Sequence, residues 1–229
     1  MVKHPHPVII ELYGLPGSGK TTLRDSLVQQ TKGKVSFALM TELSQQYRNL
    51  SLYRKFKFIP ISIWFSLLRF FLSMPLLSPK EWVFYKVLFK LSLIYNYSKY
   101  AVGLDYIVID HGIIQAVVSL MNGKIDHLSE TQMKHFQKII RKLPFIYFVY
   151  CSLPVEESLV RIRIRKRNHG RLDVIQNDNN LREMIAKEYV IFRSFFQGLD
   201  NISNIISQCI DSSKSPEETF FDLKLIVEK

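Results

Sequence analysis

Eight consecutive residues, Gly14-Leu15-Pro16-Gly17-Ser18-Gly19-Lys20-Thr21, set two fixed glycines, a lysine and a hydroxyl at the spacing of a phosphate-binding loop. Glycines let the backbone turn sharply, so that successive N–H groups converge on one anion. A helix starting at the loop adds its positive dipole end. Lys20 then reaches the β- and γ-phosphates of a nucleotide, and the Thr21 hydroxyl holds a divalent cation, with Gly14, Pro16, Gly17, Ser18, Gly19 and Thr22 completing the cradle. The competing reading, a glycine-rich turn with a chance Gly-Lys-Thr, does not account for the flanks. An apolar run over 8–13 reads as a buried strand, and 22–28 reads as an amphipathic helix.

A second cluster begins at Ile107-Val108-Ile109-Asp110, an apolar strand ending in a carboxylate. Strand ends are where open α/β sheets place ligands. Asp110 is expected to orient Mg²⁺ or the phosphate acceptor, or else to cap the next helix. His111 and Gln115, four apart at the start of that helix, are candidate acceptor contacts, as is Glu42 after the second strand. A third cluster is cationic: Arg161, Arg163, Arg165, Lys166, Arg167 and Arg171 fall within eleven residues. Like charges at helical spacing repel unless anions compensate them, and guanidinium groups match phosphoryl oxygens two hydrogen bonds at a time. Arg165, Arg167 and Arg171 are expected to close over a transferring phosphoryl group. The alternative is a solvated basic helix partly paired with Glu156 and Glu157.

Positioning these clusters takes a sheet. Strand-like runs at 8–13, 35–40, 106–109, 145–151 and 202–210 alternate with helical patterns at 21–31, 43–99, 113–121, 130–142, 155–167, 181–198 and 216–227. The polar stretch 168–180 reads as a loop. This alternation implies a parallel sheet covered on both faces. The chain of 229 residues, with a net charge of +11, suits a partner bearing phosphates. Cys151 and Cys209 each end an apolar run and are expected as buried free thiols in a reducing compartment. No apolar signal region is read over 1–7, so a cytoplasmic location is expected. The stretch 58–77 carries one charge, Arg69, and has the length of a bilayer span. Its central arginine and the prolines at 60 and 75 argue instead for a buried helix or one lying on a membrane surface or partner.

The loop at 14–22, the strand end at Asp110, and the helix carrying Pro154, Arg161, Arg165 and Arg167 together resemble the P-loop nucleoside monophosphate kinases, thymidylate kinase-like members above all. The turn Ile210-Asp211-Ser212-Ser213-Lys214-Ser215-Pro216 is similar to the one that passes near the adenine in that family. The resemblance implies a three-layer P-loop NTPase fold with a five-stranded parallel sheet of order 2-3-1-4-5. It also implies MgATP as donor and a closing lid, expected at about 161–180; the chain is expected to form one domain with a helical insertion at about 45–100, a region longer in aromatic and apolar residues than that family's. On the acceptor side the family's Asp-Arg-Tyr is replaced by Asp110-His111-Gly112, and its Arg-Glu-Pro by Thr41-Glu42-Leu43. The expected function is therefore phosphoryl transfer from ATP to a nucleotide or other small molecule. No nucleic-acid partner is expected, and a membrane-surface or homodimer contact is expected through 58–97. The other class weighed is an ATP-binding regulatory NTPase. A GTPase reading lacks Asn-Lys-x-Asp, and a motor ATPase reading lacks a glutamate after Asp110.

Overall fold

A computed structural model describes residues 8–30, 37–39, 59–73, 105–121, 127–143, 146–165, 175–200 and 205–227, with a few isolated positions between them. Five strands form one parallel sheet: β1 (Val8–Gly14), β2 (Phe37–Leu39), β3 (Tyr106–Ile109), β4 (Ile146–Ser152) and β5 (Ile205–Asp211). Their order is β2-β3-β1-β4-β5, as the resemblance implies. Strand β1 lies between β3 and β4, pairing Glu11 with Ile109 on one side and Gly14 with Cys151 on the other. All seven of its residues are buried.

Side chains alternate across a strand, so β1 feeds two cores. Val8, Ile10 and Leu12 face the smaller one, built with Leu23 and Leu27 of α1 (Lys20–Gln30) and Phe220 and Leu223 of α7 (Pro216–Val227). Ile9 and Tyr13 face the larger one, beneath α2 (Ile61–Leu72), α3 (Ile113–Met121), α4 (Glu130–Ile140) and α6 (Asp178–Leu199). Glu11 shares their side of the strand. Helices thus cover both faces. Helix α5 (Val155–Ile164) follows β4 and adds Leu159 and Ile162 to the larger core.

Several expected boundaries shift for local reasons. The helix expected over 155–167 ends at Ile164, because Arg165 adopts extended backbone. The loop expected over 168–180 gives way to helix at Asp178, where the Asn177 side chain accepts from the amides of Asn179 and Asn180. The last strand starts at Ile205, not 202. Cys151 is buried as expected, but Cys209, on the edge strand β5, is exposed. No described helix is long and apolar enough to cross a membrane. Most of 43–99, including Glu42 just before it, lies outside the described residues.

Helices α2 and α4 pack antiparallel. Ser129 and Gln132 form a reciprocal capping box, and the Gln132 amide donates to the Ser73 carbonyl at 3.0 Å. At the other end Lys142 donates to the Ser62 carbonyl at 3.0 Å. Between them Phe136 meets Phe195 edge-on at 4.7 Å and Phe70 at 5.8 Å. Replacing Phe136, 1% exposed, with alanine should cost about 3–5 kcal/mol in denaturant unfolding; a loss below about 1 kcal/mol would mean this aromatic cluster is not a packed core.

Candidate functional site

The loop after β1 owes its shape to close backbone approaches. A β-carbon on Gly14, whose φ is 145°, would lie 2.4 Å from the Cys151 carbonyl oxygen, so no side chain fits where β1 meets β4. Gly17 and Gly19 then take positive φ values of 86° and 73°, turning the chain into α1. Helix α5 buttresses the loop from outside: the Ser158 hydroxyl donates to the Pro16 carbonyl at 2.6 Å, and Arg161 donates to the Gly17 carbonyl at 3.2 Å. Those contacts occupy carbonyls. Among the described residues the amides of Gly17 and Gly19 donate to no protein acceptor, which is the state an anion-binding cradle requires.

Lys20 opens α1 and is buried. Its ammonium donates to the carbonyls of Gly14 (3.0 Å) and Leu15 (2.7 Å) and to the Ser18 hydroxyl (3.0 Å). Burial, with the nearby Arg165 charge adding, lowers its pKa to about 8. It is thus held against the loop, ready to exchange carbonyl partners for phosphate oxygens. Thr21 donates to the Asp110 carboxylate at 3.1 Å, joining the first two sequence clusters. The same carboxylate oxygen accepts from Arg24 at 2.8 Å. Sequence reasoning missed Arg24; its place one turn after Thr21 was the available signal. No group of three or more His, Cys, Asp or Glu that could cage a metal occurs among the described residues. A Mg²⁺ ion there would rely on Thr21 and Asp110 together with phosphate oxygens and water, the usual way Mg²⁺ sits on nucleotides, and the paired hydroxyl and carboxylate fit it.

Asp110 does not cap the helix after it. Glu11, fully buried on β1, does: its carboxylate accepts from the amides of Ile113 (2.9 Å) and Ile114 (2.8 Å), at the positive end of α3. A β-carbon on Gly112 would fall 2.0 Å from that carboxyl, so the glycine in Asp110-His111-Gly112 is required by Glu11. Burial raises the Glu11 pKa to about 7 despite the two amides and the nearby Lys90 charge. Helix α3 in turn carries Gln115 and Ser119, and the turn before it His111, into a cleft of about 340 Å³ with Lys20, Thr21, Arg165 and Leu172. Crowding of the His111 ring keeps it below the ordinary histidine range, in spite of Asp110, so it is neutral at pH 7. The Gln115 side-chain oxygen is buried and has no hydrogen-bond partner among the described residues.

Across the loop lies a second cleft of about 310 Å³, bordered by Gly17, Thr22, Ser26, Arg161, Lys214 and Pro216. Arg165 borders both clefts. The basic cluster is therefore divided. Arg161 pairs with Glu157 and grips the loop, while Arg163 turns away to Asp178. Only Arg165, of the cluster's described members, faces the place where the two clefts meet. Arg167 and Arg171 lie outside the described residues.

This sheet order, with a phosphate loop after β1 and helices on both faces, is the P-loop kinase fold. Solved structures agree. The chain is similar to shikimate kinase from Bacteroides thetaiotaomicron, with a TM-score of 0.53 and 13% identity over 97% of this chain and 99% of that one. It is also similar to deoxyadenosine kinase from M. mycoides with bound dATP, with a TM-score of 0.52 and 12% identity over 97% and 100%. The same enzyme with bound dCTP gives a TM-score of 0.52 and 11% identity over 96% and 99%. At such identities the likeness is one of fold. No family model and no curated protein matches the sequence.

The Glu11 contact has a pH signature. A carboxyl whose pKa is raised from 4.5 to about 7 on folding contributes stability that is full below pH 4.5 and is lost as pH rises through 7. That span corresponds to on the order of 3 kcal/mol. Denaturant melts across this window should show Glu11→Gln flattening the decline. A decline as steep as in the parent protein would mean that Glu11 titrates as an ordinary carboxyl.

Proposed function

We propose that this protein is a kinase that moves the γ-phosphoryl group of MgATP to a small hydroxyl-bearing acceptor, and that within its fold class it is thymidylate kinase-like on the donor side. The observation that carries the reading is the pair of clefts meeting over one phosphate loop, with Arg165 on the rim of both. A switch needs one nucleotide cleft; group transfer needs two that converge. The cleft beside Lys214 and Pro216 suits the donor base, and the one beside His111 and Gln115 suits the acceptor. The similar structures, a shikimate kinase and a deoxyadenosine kinase holding dATP or dCTP, support this assignment.

When bound, MgATP supplies the transferable group and the divalent charge. The chain supplies position and field. The loop amides and Lys20 hold the phosphates in line, and Thr21 with Asp110 orients the metal. Arg165 places positive charge where negative charge grows in the transition state, and the sequence offers Arg167 and Arg171 for the same role. Gln115 presents an oxygen that needs an N–H or O–H donor, and neutral His111 adds a second neutral polar contact. Both suit a polar, hydrogen-bonding acceptor. Closure over the clefts would exclude water and suppress hydrolysis.

A screen with MgATP against nucleosides, nucleoside monophosphates and sugars should release ADP quickly with one acceptor class and slowly without one. Equal release with and without every acceptor would favour the regulatory NTPase instead. In the same assay Lys20→Ala should cut transfer by at least about 100-fold while the thermal transition is retained. Unchanged turnover would remove the kinase reading.

Arg165→Ala should lower kcat on the order of 1000-fold with only a few-fold change in ATP affinity, since its charge acts mainly in the transition state. Equal losses in both would make it a simple electrostatic contact. Nucleotide affinity should also fall as pH rises above about 8, where the Lys20 ammonium loses its proton. Affinity constant from pH 7 to pH 10 would mean that Lys20 does not bind the phosphates.

A further inference from the structure

Helix α2 has two apolar faces. One is spent on the core: Ile63, Leu67 and Phe70 are 0% exposed. The other carries Ile61, Phe65, Leu68 and Leu72, spaced at every third or fourth residue and therefore aligned in one stripe along the helix. These four are 74%, 62%, 51% and 75% exposed. Four large exposed side chains in one line are an interaction surface, not scattered surface residues.

The charge beside the stripe selects the partner. Phe65 also lines a cleft of about 550 Å³ between α2 and α4, whose other walls include Arg69, Lys138, Arg141 and Lys142. All four cations are exposed. Helix α2 has no acidic residue, and the one acidic residue of α4, Glu130, pairs with Lys134 at the opposite end of that helix. The antiparallel packing of α2 and α4 places Arg141 and Lys142 at the Ile61 end and Glu130 at the Leu72 end, with Arg69 and Lys138 on the cleft between them. A second copy docked here would bury the stripe, but its own α2 and α4 offer Arg69 and Lys138 one carboxylate, Glu130, which is already paired with Lys134. A nucleic acid would satisfy the cations and leave the apolar stripe in water. An anionic bilayer satisfies both, taking the stripe at its acyl boundary and the cations at its headgroups.

We infer that α2 and the C-terminal end of α4 form a membrane-surface docking face for anionic lipid, lying in the interface without crossing it. This face stands on residues apart from the phosphate loop, so it is independent of the kinase assignment.

The test is co-sedimentation of the full chain with vesicles of phosphatidylcholine containing phosphatidylglycerol, and with vesicles of phosphatidylcholine alone. The protein should sediment with the first and not the second, and added salt should release it. Arg69→Gln with Lys138→Gln should weaken partitioning on the order of 25-fold, at about fivefold per cation. Phe65→Ser with Leu68→Ser should abolish binding while leaving the thermal transition in place, because both side chains are exposed. Four results would overturn the inference. They are failure to sediment with anionic vesicles, equal sedimentation with both vesicle types, and a dimer in light scattering that Phe65→Ser with Leu68→Ser dissolves. The fourth is a large fall in melting temperature in that double variant, which would show the stripe covered by the protein's own chain.

Discussion

Everything chemical in this protein is suspended from β1. The strand is buried along its whole length, is paired on both sides, and ends in a glycine that has no room for a side chain against β4. Its last residue releases the phosphate loop. Its fourth residue, Glu11, crosses beneath the sheet end to hold the amides that start α3. One strand therefore fixes both the loop after it and the helix that carries Gln115, with His111 in the turn before that helix. A displacement of β1 relative to its neighbours would move the walls of both clefts together, which is a way of keeping the two clefts in constant register.

Electrostatics at the site are arranged by neighbours more than by solvent. Asp110 is shared by Thr21 and Arg24, so the carboxylate is fixed between a hydroxyl and a guanidinium. Lys20 is buried against carbonyl oxygens, which hold its ammonium while desolvation weakens its grip on its proton. Glu11 is buried against two amides, with its proton retained to higher pH by the same desolvation. These two shifts run in opposite directions for one cause, the cost of a charge away from water.

What the sequence made legible was whatever is local. The phosphate loop, the strand ending at Asp110, and the alternation of strands and helices show in short runs of sequence, and the structure follows them; the strand order, which it also matches, came from the family resemblance. What stayed hidden were contacts between distant segments. Glu11 sits inside the apolar run 8–13, and its partners lie 102 and 103 residues away. Arg24 sits inside the helical run 22–28, and Asp110 is 86 residues away. Arg161 was legible as a cation but not as a brace for the loop, and Arg163 looked equivalent to it until Asp178 claimed it. Helical spacing tells which side chains share a face; it does not tell what that face meets.

The most direct test of the account is a crystal structure with Mg²⁺ and a non-hydrolysable ATP analogue. The account predicts β- and γ-phosphates ringed by the amides of 17–21, the Lys20 ammonium moved off the Gly14 and Leu15 carbonyls onto phosphate oxygens, and the metal beside Thr21. A nucleotide bound elsewhere, or a loop still closed on Lys20 with the ligand absent, would contradict it.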